Sequence, residues 1–170
     1  MDSSIGTVID TLNRLNLAEK TFVLFFSDNG ATPVGSNGPY RGFKGDVWEG
    51  GHRVPAIAWQ PGRVRKGSTC SEPVISLDVM PTILSMTNTP IPSEHVLDGV
   101  NISPLLFGGG EPTPRKLFWE YRGQYALREG PWKLVIGARG HDGPGLFLLP
   151  DDPGETTDLA GKYPERVKEM

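Results

Sequence analysis

The segment that most constrains this chain is Thr21-Phe22-Val23-Leu24-Phe25-Phe26, which stops abruptly at Ser27-Asp28-Asn29-Gly30. Alternating polarity would mark a strand with one wet face. A run that is apolar at consecutive positions marks a strand covered on both faces, as in the buried parallel sheets of α/β proteins. Upstream, Ile5, Val8, Ile9, Leu12, Leu15 and Leu17 recur at near-helical spacing and predict an amphipathic helix over 3–19. A helix feeding a buried strand predicts an α/β architecture. Open α/β sheets take ligands beyond the C-terminal ends of their strands, which is where Asp28 and Asn29 stand.

The same run excludes a membrane span, because Phe22–Phe26 is the longest uninterrupted apolar stretch and is far too short to cross a bilayer. Seventeen Lys and Arg face twenty Asp and Glu, a net charge of −3. Such a balance argues against nucleic acid or an anionic membrane surface as a partner, since either needs a concentrated basic face. Met1-Asp2-Ser3-Ser4-Ile5-Gly6 carries neither a basic n-region nor an apolar h-region, so no signal peptide is expected. Cys70 is the single cysteine, which excludes an internal disulfide and any multi-cysteine metal site.

Glycine and proline are in excess, at 22 and 16 of 170 residues, against an ordinary combined share of roughly 12%. They punctuate a long polar loop over 30–53, and long loops inside compact domains tend to carry function. Pro55–Trp59 then predicts a strand ending at Pro61-Gly62. Val74–Leu77 is a further apolar stretch that leads into a helix over Met80–Met86, with Asp78 near its start and Pro81 in its first turn. Ser103-Pro104-Leu105-Leu106 predicts a short helical turn closed by Gly108–Gly110. Beyond it, Leu117–Tyr121, Gln124–Arg128, Lys133–Ile136 and Leu146–Leu149 are strand-like runs separated by turns, the pattern of an antiparallel meander. Pro164–Met170 predicts a terminal helix. A boundary near Gly108–Pro114 divides residues 1–110, the α/β part, from residues 111–170, the small antiparallel subdomain.

Asp28 and Asn29 offer a carboxylate and an amide carbonyl, hard oxygen donors suited to Ca²⁺ and, less well, Mg²⁺. Asp-Asn-Gly is equally an ordinary turn sequence, and two ligands cannot fill six or more coordination positions. Lys44, flanked by glycines in Arg41-Gly42-Phe43-Lys44-Gly45, can approach an anion, with Arg41 as a second cation; a solvated loop lysine is the plain alternative. Glu49 and Arg53 are spaced for an ion pair. His52 is either a base or a structural histidine. Tyr40 and Phe43 either line a substrate mouth or pack the loop.

Taken in order, Phe25–Gly30, Arg41–Gly45, Trp48-Glu49-Gly50-Gly51-His52-Arg53-Val54-Pro55, Ser76–Thr82, Leu97–Val100 and Leu146–Leu149 with Asp152–Leu159 resemble the C-terminal half of a type I, formylglycine-dependent sulfatase. Such enzymes are arylsulfatase-like members of the alkaline-phosphatase-like superfamily. The resemblance implies the C-terminal part of that superfamily's α/β sheet domain, followed by a small antiparallel-sheet subdomain with a terminal helix. It implies that Asp28 and Asn29 are metal ligands for Ca²⁺ and that Lys44 contacts the sulfate of an aryl or glycan sulfate ester. Arg41 and Tyr40 become candidate substrate contacts. The family's nucleophile is a formylglycine made from Cys/Ser-x-Pro-x-Arg, and no such segment occurs here; Cys70-Ser71-Glu72-Pro73 has the wrong spacing and no arginine. The expectation is a sulfuric ester hydrolase segment without activity by itself. The family is commonly secreted, periplasmic or lysosomal. A metal-dependent phosphate-ester hydrolase of the same superfamily and a non-catalytic remnant are the alternatives.

Overall fold

The computed structural model describes residues 1–110 and 114–170. The expected boundary between 110 and 111 falls at residues outside the described set. Spatially the chain forms two units, Met1–Phe25 with Ala56–Thr113, and Phe26–Pro55 with Pro114–Met170. The glycine-rich loop thus belongs with the C-terminal sheet.

In the first unit, helix α1 (Asp2–Arg14) ends sooner than the apolar spacing predicts. Asn16 adopts φ 56°, the Leu17 N–H donates to the Leu12 carbonyl and the Asn16 N–H to the Asn13 carbonyl. This is the Schellman stop, in which a left-handed residue closes the last turn and satisfies its carbonyls. Asn88 ends helix α3 (Val79–Met86) in the same way, with φ 52° and Thr89 bonded back to Leu84. The apolar run becomes strand β1 (Val23–Phe26), paired with β2 (Ala56–Trp59) in a sheet of two strands. The expectation of complete burial is corrected: Phe25 and Phe26 are each 38% exposed and Ile57 is 62% exposed. A two-strand sheet leaves an edge on each strand and too few layers to cover both faces.

Val74–Leu77 forms no strand; Ser76–Asp78 is a 3₁₀ turn running into α3. The fully buried Asp78 explains it. Its carboxylate accepts the Ile75 N–H at 2.8 Å and the Val100 N–H at 2.9 Å, so one side chain starts the helix and ties in the Leu97–Val100 loop. Thr82 adds a second tie, accepting the Ile102 N–H at 3.0 Å. A short helix α4 (Ser103–Phe107) closes on Gly108 at φ 75°.

The second unit is built on the predicted meander. Strands β3 (Lys116–Tyr121), β4 (Gln124–Glu129), β5 (Trp132–Ile136) and β6 (Gly145–Leu148) pair antiparallel in sequence order. Trp119, Ala126 and Val135 lie opposite one another across three strands. Ala126 and Val135 join Val47, Trp48, Ala138, Phe147 and Leu149 in one buried cluster, with Trp119 packed against it. The sheet therefore takes its core partly from the loop between β1 and β2. The terminal helix α5 (Pro164–Glu169) is tied to the sheet through Arg166 and Glu129 at 2.7 Å.

Candidate active site

Asp28, Asn29, Tyr40, Arg41 and Lys44 all lie in the second unit, on the loop that the meander supports. Two segments of that loop are laced together. The Gly30 N–H donates to the Gly51 carbonyl and the Lys44 N–H to the Ala31 carbonyl, each at 2.9 Å. Gly30 is required by this approach, since a Cβ there would lie 1.8 Å from the Gly50 carbonyl oxygen. Lys44 occupies a tight turn in which the Asp46 carboxylate accepts the Phe43 N–H at 2.9 Å. From the meander, the Gln124 side chain donates to the Gly45 carbonyl at 3.1 Å. The turn carrying Lys44 is thus held from both sides.

The side chains expected to do chemistry are the ones this lattice leaves over. Asp28 and Lys44 are exposed. Among the described residues, the Asp28 carboxylate, the Asn29 amide and the Lys44 ammonium make no intramolecular hydrogen bond or ion pair. A loop that satisfies its backbone yet leaves a carboxylate, an amide and an ammonium free suits groups meant for a ligand. Asp28 and Asn29 fit a hard divalent cation as two of its oxygen ligands. They do not complete a shell, and no group of three His, Cys, Asp or Glu placed to hold a metal exists among the described residues.

Arg41 and Tyr40 are placed differently. The Arg41 guanidinium lies over the Trp48 ring at 3.7 Å and donates to the Glu155 and Gly140 carbonyls at 3.1 and 3.2 Å. Tyr40 stacks under the Arg53 guanidinium at 4.4 Å. Both side chains brace the loop.

Beneath the loop lies a charged centre that the sequence did not announce. Lys133 is fully buried on β5, its ammonium 3.0 Å from Glu49 and 2.9 Å from Glu155. Helix α2 (Glu49–His52) starts on this pair, because the Glu155 carboxylate accepts the Glu49 N–H at 2.6 Å. The expected Glu49–Arg53 pair is present at 3.3 Å, and Arg128 lies 3.8 Å from the same carboxylate. Burial raises the cost of ionising Glu49, but His52 and Lys133 outweigh it and hold Glu49 well below the usual carboxylate range. Burial prevails at Glu155 and pushes it up, against the opposing pull of Lys133. His52 stacks on Trp119 at 4.4 Å. Burial pushes its pKa below the ordinary value, with Lys133 and Arg128 acting in the same direction and Glu49 opposing them. His52 is therefore a neutral structural ring, its Nε2 3.4 Å from the Glu49 carboxylate.

The likeness to solved structures places this architecture. The structure titled Ps i-CgsB in complex with k-i-k-neocarrahexaose superposes on 99% of this chain and 39% of its own, with TM-score 0.89 and 27% identity. The fold is alkaline-phosphatase-like and matches the C-terminal portion of such structures. A sulfatase family model matches residues 1–89, and the chain belongs to the sulfatase family. Human arylsulfatase A is 34% identical over 95% of this chain and 38% of its own length. N-acetylgalactosamine-6-sulfatase from Canis lupus familiaris is 40% identical over 72% of this chain and 24% of its own. The chain thus spans well under half the length of these curated relatives. Among the described residues no helix is long and apolar enough to cross a membrane.

Proposed function

We propose that this chain supplies the rear half of a sulfuric ester hydrolase site, acting on an aryl or glycan sulfate. The observation that carries the reading is the set of three unpartnered groups, Asp28, Asn29 and Lys44, on a loop whose backbone is otherwise tied down. Asp28 and Asn29 would hold a divalent cation, Ca²⁺ in preference to Mg²⁺, alongside ligands from elsewhere. Bound there, the cation supplies Lewis-acid stabilisation of charge on sulfuryl oxygens. Lys44, on a turn whose backbone is tied to Ala31, would supply a positive charge for the same oxygens as negative charge develops on them. Arg41 and Tyr40 enter as braces that keep the turn before Lys44 in place, through Trp48 and Arg53.

The nucleophile, a formylglycine in this family reading, has no counterpart motif in these 170 residues. The chain by itself therefore binds without turning over. The test is a calcium and inorganic sulfate titration of the chain followed by backbone amide shifts, with an aryl sulfate assay alongside. Calcium is expected to move Asp28 and Asn29, sulfate to move Lys44, and no aryl sulfate to be hydrolysed. Calcium shifts that persist in Asp28→Ala would contradict the metal assignment.

A further inference from the structure

Asn37 lies midway along the loop, in a Ser36-Asn37-Gly38-Pro39 sequence that reads as a plain turn. Its side chain is half-buried, and both of its ends are used. The Oδ1 atom accepts the Ala31 N–H at 2.7 Å, and the Nδ2 group donates to the Gly42 carbonyl at 2.9 Å and to the Ala31 carbonyl at 3.5 Å. Ala31 directly follows the Asp28-Asn29-Gly30 turn, and Gly42 lies two residues before Lys44. One amide thus bridges the segment carrying the metal ligands and the segment carrying the sulfate lysine.

We propose that Asn37 is a positioning residue that sets the spacing between the Asp28–Asn29 pair and Lys44; the inference rests on the function proposed for those three groups. The alternatives on this loop are weaker. Lys44 bonds to Ala31 through its own backbone, and Gly30 bonds to Gly51 further along; each of these ties the two segments at a single backbone point. Asn37 adds two further points on either side of that bond. Gly42, at φ 81°, is in the left-handed region that glycine tolerates, so its carbonyl direction depends on what it bonds. An amide is required: only Asn or Gln presents an acceptor and two donors at one planar end, and Gln would overreach by a methylene.

The test uses the isotopically labelled chain with calcium chloride as the probe. Asp28, Asn29 and Lys44 amides report the site, and Ala126 and Val135 amides on the meander report the fold. In the parent chain calcium is expected to shift Asp28 and Asn29 and, through the bridge, Lys44. Asn37→Ala should weaken calcium about threefold or more and erase the Lys44 response, with the meander amides unmoved. Asn37→Asp keeps the acceptor for Ala31 and loses the donors, so it should restore hydrogen-exchange protection at the Ala31 amide while leaving Lys44 silent. Equal affinity and an intact Lys44 response in Asn37→Ala would overturn the proposal, as would loss of the meander signals, which would make Asn37 a general fold residue. No calcium response in the parent chain would remove the metal reading itself, and the inference with it.

Discussion

The carboxylate of Glu155 accepts a 2.6 Å hydrogen bond from the backbone N–H of Glu49, 106 residues earlier in the chain. Lys133 sits between their carboxylates at 2.9 and 3.0 Å. The closing segment of the chain thereby fixes the start of helix α2, and the Gly50-Gly51 step that follows receives the Gly30 N–H. The chemistry proposed at Asp28 is thus supported, bond by bond, from the C-terminal sheet.

Lys133→Met should be strongly destabilising. It removes the buried cation that Glu49 and Glu155 share, and breaking a buried pair costs about 3–5 kcal/mol. Urea unfolding followed by tryptophan fluorescence measures it, Trp48 and Trp119 lying in or against the buried cluster. A loss under about 1 kcal/mol would be the signature of an exposed surface pair instead.

Acid should weaken the second unit through His52. In the unfolded chain this ring takes up a proton near its ordinary value of 6.5, whereas in the fold its value lies lower. The unfolded state then binds more protons over that window, so stability falls as pH drops through 6.5. Glu155, pushed up, contributes the opposite slope. Comparing the parent with His52→Phe at pH about 7.5 and about 5.5 isolates the histidine. The parent should lose more of its urea midpoint than the variant; an identical loss in both would refute a buried neutral ring.

Gly30→Ala should damage the site while sparing the sheet. The new Cβ would meet the Gly50 carbonyl oxygen at 1.8 Å, so the two loop segments must part, breaking the Gly30–Gly51 bond. Calcium shifts at Asp28 and Asn29 are expected to vanish with the meander amides unchanged. Retained calcium binding would show that the close approach is dispensable.

Much of this architecture was legible in the sequence, and the parts that were not share a cause. The meander was readable because its strands are short, alternating and separated by turns, so local pattern and final pairing agree. The Asp28–Gly30 and Lys44 turns were marked by glycines, whose need is local. Helix α1 was overextended because the apolar spacing continues past Arg14 while the stop depends on a single left-handed Asn16. Asn37 carries no signal in the sequence because the partners of its amide lie five and six residues away. Lys133, Glu49 and Glu155 were illegible for a stronger reason. A charge in a strand reads as a solvated face unless its partner is known, and Glu49 lies 84 residues from Lys133 and 106 from Glu155. The bracing contacts of Arg41 carry no local signal either, its carbonyl partners lying 99 and 114 residues downstream.

The central claim is that Asp28, Asn29 and Lys44 belong to one cation and anion site, and paramagnetic broadening by Mn²⁺ tests it most directly. Mn²⁺ takes the same hard oxygen ligands as Mg²⁺ and Ca²⁺ and broadens amide signals close to where it binds. The expected result is selective broadening of Asp28, Asn29, Ala31 and Lys44, abolished by Asp28→Ala. Broadening centred instead on the acidic Asp151-Asp152 turn, with Asp28 and Lys44 sharp, would contradict the account.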